Sequence, residues 1–466
     1  MSKKIGQAIV IGGSVAGMLA ARAIARHCGN VTILERDKIR ASLDMRAGVP
    51  QAAHIHAVLT KGRNLLEQAF PGIVDEVIAD GAIMIDHIND RRRLASYGWQ
   101  PRFPSELRML LVSRPLLESH IRARVSRLPN VQIETGMRVQ GLTAQEGQVT
   151  GVIASPADNE DDERNLAADL VIDASGRSSN APEWLEDLGF GTVKEMFVDA
   201  KWGYASRFYE TLSPWPYDWQ LINMWPQIRR NDAQKTRGGV LCPQDGGRCI
   251  VTLVGNAGDH PPRDDAGFLD FAASLVSPEI ADFIRRAKPI GPINVSKTTV
   301  NKWRRFDQLE RKPEKFIVVG DAVAAFNPVY GQGMSLAALE AKALDDSLTQ
   351  WLEAGHDSLV GLATMAQAKI AETGAFPWGA STGADSLVEG CVGASPPAPE
   401  VRAFSERAAA LGSIHNDYVL KFEEMANLVR DNKWIADPEV KRTIVQNWDH
   451  LGQLVGAPSS NAPAAA

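Results

Sequence analysis

Four cysteines in 466 residues are too few to frame a disulfide-stabilised fold. No apolar run approaches the length needed to span a bilayer, and the apolar stretch near the N-terminus belongs to a strand, not to the core of a signal peptide. Basic residues are not in excess: 50 Lys and Arg against 56 Asp and Glu give a net charge of −6. Arg91-Arg92-Arg93 is the only basic triplet and reads as a solvated loop, so no electrostatic surface for nucleic acid or an anionic membrane is indicated. Internal repeats are also missing. These absences predict a cytoplasmic globular protein, and 44% hydrophobic residues over this length supply a core for two domains or one large elaborated one.

What is present is organised around residues 8–37. The chain runs Ala-Ile-Val-Ile-Gly-Gly-Ser-Val-Ala-Gly to Gly17, continues as an Ala-rich helical segment to Cys28-Gly29-Asn30, and closes with Val-Thr-Ile-Leu-Glu-Arg-Asp. Short β-branched runs on either side of a helix, with Gly29 as its stop, make a βαβ unit. Gly12 allows the tight turn and Gly17 lets the helix approach the sheet. The amides of Gly12, Gly13, Ser14, Val15, Ala16 and Gly17 then face an anion such as pyrophosphate. Ser14 stands where a glycine usually lets backbone approach the phosphates. Glu35 ends the second strand about twenty residues after the turn, where a carboxylate accepts from ribose hydroxyls. The unit implies an adenine dinucleotide and does not separate NAD from FAD.

Downstream, a Gly/Pro-punctuated loop from Arg46 to His56 precedes a helix over Ala57–Phe70. Met109–Ser113 reads as a strand turning into a helix at Arg114, with Ser113 as N-cap. Val131–Thr135, Met137–Leu142 and Gly147–Ile153 alternate as a small meander. Leu170–Asp173 is a buried strand ending in a Gly-containing turn. From Trp202 to Val300 the pattern is β-rich, with a hairpin through Asp245-Gly246-Gly247 and one helix over Ala266–Ala287. A two-residue Asp245-Gly246 loop would set Cys242 opposite Cys249, both as buried thiols. Phe316–Gly320 is another buried strand, followed by Asn327-Pro-Val-Tyr-Gly331-Gln-Gly333-Met334, which opens a helix reaching Gly355. Helices are predicted over Asp357–Thr373 and Pro399–Asp431 and from Asp437, where Pro438 takes the first position.

Three of these stretches together resemble the motifs of the aromatic-hydroxylase-type flavoprotein monooxygenases (p-hydroxybenzoate hydroxylase-like). They are the βαβ unit with Glu35, the strand ending Asp173-Ala-Ser-Gly176, and Gly320-Asp321 before Pro328-x-x-Gly331-x-Gly333. The resemblance implies an α/β fold: a three-layer, Rossmann-like FAD-binding domain of glutathione-reductase type over residues 1–180 and 301–356, with 73–108 contributing to the substrate lobe. A β-rich substrate domain over 181–300 is interleaved with it, followed by a C-terminal helical region over 357–455 and a disordered tail over 456–466. It further implies that Asp321 contacts the ribityl chain of FAD and that backbone around Gly331–Met334 approaches the flavin pyrimidine ring. The uncapped start of that helix suits the negative charge of a reduced flavin. Arg114 falls where the family places an arginine against FAD, Arg36 beside Glu35 is placed to cover adenine, and Val139 lies where backbone holds adenine. Arg46-x-Gly-x-Pro-Gln51-x-x-His54-x-His56 and Asn327-Pro-Val-Tyr-Gly-Gln-Gly look like the bacterial polyether flavin epoxidases, themselves similar to squalene epoxidase. That likeness implies FAD contacts for Arg46 and Gln51. His54 and His56 alternate and so face opposite ways, which argues against a metal pair; one is expected near the flavin, and His54 and Arg46 are the candidate catalytic side chains.

The resemblance implies an FAD-dependent monooxygenase that transfers one oxygen of O₂, through a hydroperoxide at flavin C4a, to an apolar alkene or aromatic small molecule of specialised metabolism. The cofactor carries the reactivity, so the protein positions substrate and excludes water. Trp202, Tyr204, Arg207 and Tyr209, on an alternating strand, are candidate lining. Alternatives are an FAD-dependent dehydrogenase or reductase of an isoprenoid-like substrate and a redox-silent flavin-containing isomerase or cyclase. The Trp-x-Trp-x-Ile-Pro segment of the flavin-dependent halogenases is missing, since Trp215, Trp219 and Trp225 are spaced differently. No second Gly-rich βαβ unit is present for a nicotinamide nucleotide. Asp173 and Arg177 are therefore placed to shape transient docking of NADH or NADPH, with a partner flavin reductase as the other electron source.

Overall fold

The β-branched run Ile5–Ile11 forms the middle of a five-stranded parallel sheet in the computed structural model, which describes residues 5–39, 46, 48–227 and 233–456. The tail assigned to 456–466 lies, beyond Gly456, outside the described residues. The strand order is Phe316–Val318, Leu170–Asp173, Ile5–Ile11, Cys28–Glu35, Val131–Thr135. Register sets Ile11 beside both Leu34 and Asp173, and Asp173 beside Val318. The turns carrying Gly12, Asp173 and Gly320 therefore leave one edge of the sheet together, at the carboxyl ends of its strands, where open α/β sheets bind ligands. Helices Val15–Ala25, Arg114–Val125 and Gly333–Glu353 form one layer, and the antiparallel meander Met137–Gln145, Gln148–Pro156 and Arg164–Ala167 lies against the sheet as another.

A second sheet of seven strands runs Pro289–Ser296, Gly203–Glu210, Arg248–Gly255, Arg237–Gln244, Leu221–Met224, Arg91–Ala95, Gly98–Trp99. Its central strands are buried on both faces. One packs on helices Asp265–Ala273 and Glu279–Arg286 through Tyr209, Trp219, Phe268, Phe271 and Phe283; the other, carrying Leu221, Cys242 and Ile250, meets Leu59, Ile85, Met109 and Leu111. The single helix predicted over Ala266–Ala287 is two helices, divided where Pro278 caps the second. The helix predicted from Ala57 begins at Thr60, because Ala57–Val58 pairs with Leu110–Leu111 as a short strand. The hairpin holds a three-residue loop, with Gln244 opposite Arg248. That shift of one residue sets Pro243 opposite Cys249, and the two buried, free thiols leave opposite faces of the sheet.

The arginine triplet is not a solvated loop. It is the strand Arg91–Ala95, paired in parallel with Leu221–Met224. Period-two alternation sends Arg92 one way, to Glu279 at 2.8 Å and over the Trp99 ring, and sends Arg91 and Arg93 the other. There both guanidiniums grip Glu423, of helix Asn416–Ala426, with Arg91 Nη2 at 2.6 Å from Glu423 Oε2 and Arg93 on Oε1. His87 Nε2 lies 3.1 Å from Oε2. Burial alone would raise the Glu423 pKa; the two arginines outweigh it and hold the carboxylate well below its usual range. Spacing hides this cluster, because nothing local in the sequence pairs residue 91 with residue 423.

The C-terminal helices depart from expectation at their breaks. Helix Leu362–Asp385 runs twelve residues beyond the predicted stop at Thr373, through Pro377. The stretch predicted as one helix from Pro399 is interrupted at Leu411–Ser413 and resumes over Asn416–Ala426. Pro438–Gln446 is capped by Asp437, whose side chain accepts from the Glu439 amide. Among the described residues no helix is long and apolar enough to cross a membrane.

Removing one member of a buried ion cluster leaves the others unpaired. Glu423→Ala is expected to lower the unfolding free energy by about 3–5 kcal/mol, read by urea denaturation. Asp346→Ala, which breaks the half-exposed Lys342–Asp346 pair, stays within about 0.5 kcal/mol. Equal losses in the two variants would show that Glu423 does not latch the C-terminal helices to the sheet.

Candidate functional site

The close approach at the first turn is enforced sterically. A Cβ on Gly17 would lie 1.8 Å from the Gly12 carbonyl oxygen, and Gly12 itself has φ of +100° beneath the Ala174 carbonyl. Helix Val15–Ala25 begins at Ser14 with no side-chain cap, so its first amides face outward. Ser14 instead accepts from Arg114 Nη2 at 2.6 Å. Glu35 is buried; one oxygen accepts from the Gly13 amide at 2.8 Å and the other from the Asp37 amide at 2.8 Å. Arg36 is exposed and Val139 is buried in the adjoining meander.

Arginines collect at this helix end around one carboxylate, Glu118. Arg114 Nε donates to its Oε2 at 2.9 Å, Arg122 Nη2 lies 3.1 Å from its Oε1, and Arg46 Nη2 donates to the same Oε1. Arg46 also lies 3.4 Å from Glu35 and from Asp37. Glu118, four residues after Arg114 and so on the same helix face, thus gathers the cations that flank the Gly-rich turn. Its role was not assigned from sequence. Gln51 lies in the single turn Pro50–Ala53, with its side chain half-buried.

A second helix start faces the same cleft. Gly333–Glu353 has no side-chain cap, and Gly331 before it has φ of +67° with open space where a Cβ would stand. Asp321 is exposed beside the Gly333 helix start and accepts no hydrogen bond from the described residues; desolvation by the protein around it raises its carboxyl pKa, opposed by the charges of Arg177 and Arg114. The Gly320 turn is pinned from behind. A Cβ there would strike Ala16, and its amide donates to Glu340. Burial, helped by the nearby Asp321 charge, pushes the Glu340 carboxyl up to about 8, so it stays protonated at neutral pH. Its other oxygen has no partner.

These features fit FAD. Open amides and arginines at one end suit a pyrophosphate, an unpartnered acceptor in the middle suits ribityl hydroxyls, and open amides at the second helix start suit an electron-rich ring carbonyl. Asp173 has a different use. It is fully buried, with Ser179 Oγ at 2.5 Å and the Ser175 amide at 2.9 Å, so it shapes its own turn and has no exposed oxygen for a cofactor or a nicotinamide nucleotide. Arg177 is likewise engaged, donating to the carbonyls of Val300 and Phe326.

On the seven-stranded sheet Tyr204, Ser206 and Phe208 share one face, Tyr204 in the cluster with Trp202 and Phe208 in the core with Leu59 and Met109, and Arg207 and Tyr209 take the other. Arg207 pairs with Asp265 at 2.8 Å, and Tyr209 packs edge-on against Phe283, so neither lines a space shared with the cleft. Strand alternation decides this: the four candidates span both faces. Trp202 remains on the cleft side, in one apolar cluster with Tyr204, Val254, Val388, Trp225 and Val329. His54 joins the two sheets. Its Nδ1 lies 2.9 Å from Ser206 Oγ, which lies 2.7 Å from Thr252 Oγ1, and its ring meets Tyr204 edge-on at 4.5 Å. His56 Nδ1 reaches back to the His54 carbonyl at 3.0 Å. Burial lowers His54 to about 4, and burial together with the Arg114 charge lowers His56 to about 3. Among the described residues no group of side chains can hold a metal ion.

Residues 6–372 match the family described as FAD binding domain. The protein Rv3254 of Mycobacterium tuberculosis is 33% identical over 342 residues, 72% of this chain and 71% of that one. Kynurenine 3-monooxygenase of Salinispora tropica is 23% identical over 372 residues, 75% and 74% of the two chains. The solved structure of the flavin-dependent brominase Bmp2 superposes with a TM-score of 0.65 over 95% of this chain and 98% of its own, at 15% identity, a likeness of fold.

Two buried histidines, His54 and His87, and the half-buried His56 set an acid limit on stability. His54, His56 and His87, the last lowered to about 4 by burial and Arg91, stay neutral in the folded chain and take a proton near 6.5 when unfolded. Unfolding therefore binds protons below pH 6.5, so stability is full above that value and declines as pH falls toward 4. In urea titrations between pH 7 and 5, His54→Gln is expected to flatten this decline by up to about 1.4 kcal/mol per pH unit. An unchanged slope would mean that His54 carries its ordinary pKa.

Proposed function

Because the chain belongs to the FAD-binding-domain family, we propose that it is an FAD-dependent monooxygenase acting on an apolar alkene or aromatic small molecule. The observation that carries this is the neighbourhood of the second helix start: the Pro328–Gly333 loop, where the ring end of FAD would lie, packs its Val329 against an apolar wall that includes Trp202, Tyr204 and Trp225. Bound FAD supplies the chemistry that activates O₂. The side chains do the rest. Arg46, Arg114 and the amides of Gly12–Gly17 hold the pyrophosphate, Glu35 holds the adenine ribose, and Asp321 holds the ribityl chain. The amides of Gly333 and Met334 hold the ring in place and stabilise negative charge on it. The apolar wall orients an electron-rich carbon and keeps water out. No nucleophile or metal is called for. His54, neutral and committed to Ser206, acts as a structural joint between the sheets.

The kynurenine 3-monooxygenase relative supports hydroxylation of an aromatic ring; epoxidation of an alkene is compatible with the same wall. Electrons come from NADH or NADPH docking transiently, or from a partner reductase.

Asp321→Ala and Gly17→Ala are expected to leave the purified protein colourless or to weaken FAD binding at least about tenfold, the first through lost ribityl contacts and the second through the clash with Gly12. The reaction is tested by reducing the FAD-loaded protein anaerobically with NADH or NADPH, then admitting ¹⁸O₂ with a panel of alkenes and aromatics. One labelled oxygen per product molecule is expected. Substrate conversion without oxygen uptake would replace this reading with a dehydrogenase, or, if the flavin stays oxidised, with an isomerase or cyclase.

A further inference from the structure

Asp385 ends the helix Leu362–Asp385, in the turns beyond Pro377, and is fully buried. Its contacts come from three separate parts of the chain. Oδ1 accepts from Trp202 Nε1 at 2.8 Å and from the Tyr330 hydroxyl at 2.6 Å; Oδ2 accepts from Asn301 Nδ2 at 2.6 Å. Asn301 in turn accepts from the Asn327 amide at 2.8 Å, and Asn327 caps the next turn by accepting from the Val329 amide at 3.2 Å. One helical turn earlier, Ser381 Oγ donates to the Gln332 side chain at 3.4 Å. The loop from Asn327 to Gly333 is thus held at three points by, or through, one helix end.

On the basis of the FAD reading above, we propose that Asp385 is a positioning residue for the flavin ring: it fixes the distance between the Asn327–Gly333 loop and the Trp202 end of the substrate sheet. A carboxylate is the side chain able to do this, because it accepts in several directions and donates in none, and all three partners arrive as donors. A consequence concerns the wall itself. The Trp202 N–H and the Tyr330 O–H are both drawn onto Asp385. Trp225 stacks along Tyr330 with ring centroids 5.9 Å apart and meets Trp202 edge-on at 6.3 Å. The Trp202 and Tyr330 rings thus turn their polar atoms to Asp385 and present aromatic carbon to Trp225.

The test compares wild type, Tyr330→Phe, Asp385→Asn and the double variant. Each is titrated with FAD by flavin fluorescence and with ADP by calorimetry; ADP reports only the Gly12–Gly17 and Glu35 end. Tyr330→Phe removes one hydroxyl and keeps the ring, so it remains informative if Asp385→Asn fails to fold. FAD affinity is expected to fall roughly tenfold in either single variant, with the double variant no weaker than the weaker single, while ADP affinity stays within about twofold. FAD binding like wild type in Tyr330→Phe would overturn the proposal, as would equal losses for FAD and ADP, which would mark a scaffold residue without bearing on the ring. Wild type that bound ADP and refused FAD would instead sink the flavin reading, and this proposal with it.

Discussion

One constraint governs how the two halves of the molecule meet: the central strands of the seven-stranded sheet are covered on both faces, and successive residues on each must serve different neighbours. Tyr204 and Ser206 meet His54 while Arg207 and Tyr209 face the covering helices. Arg91 and Arg93 reach Glu423 while Arg92 reaches Glu279. A slip of one residue in any of these strands would exchange the two sets, placing buried charge against Phe283 and aromatic rings against carboxylates. The alternation is therefore fixed by electrostatics as well as by apolar packing.

At the cofactor end the polar groups left open share one edge of the parallel sheet. Both helix starts that face the cleft lack a capping side chain, and Asp321 lacks a donor. At the neighbouring helix Arg114–Val125 the start is closed by the Ser113 side chain, which accepts from the Leu116 amide, so its amides are not offered to the cleft. Polar groups left open at the carboxyl edge of a parallel sheet, with Arg46 and Arg114 already gathered there by Glu118, are what a dinucleotide with an electron-rich ring requires.

Much of this was legible in the sequence because it is local. The βαβ unit, the strands ending at Asp173 and Gly320, and the Pro328–Gly333 turn each announce themselves within a dozen residues or so through glycine placement and β-branched runs. What was not legible depends on partners far away in the chain or on rules that tertiary packing overrides. Arg91–Arg93 reads as polar surface until Leu221–Met224 and Glu423 are brought to it. Asp385 was out of reach for a subtler reason: Gly374, Pro377, Gly379 and Gly383 are helix breakers by propensity, so the predicted helix stopped at Thr373, and the turns that carry Asp385 exist because Trp378 and Ser381 are buried against the rest of the fold. The hairpin register at Cys242 and Cys249 turned on a single loop residue, which composition does not decide.

The Glu423 cluster also bears on the order in which the chain can assemble. Arg93 and Glu423 are 330 residues apart, and the strand Arg91–Ala95 pairs only with Leu221–Met224, made some 130 residues later, and with the short Gly98–Trp99. During synthesis from the N-terminus, two arginines destined to pair with a buried carboxylate have no counter-charge until nearly the whole polypeptide has emerged. The parallel sheet can gather its strands earlier, but this outer strand of the second sheet cannot settle until the last helices arrive. Closure of the molecule is thereby tied to completion of the chain.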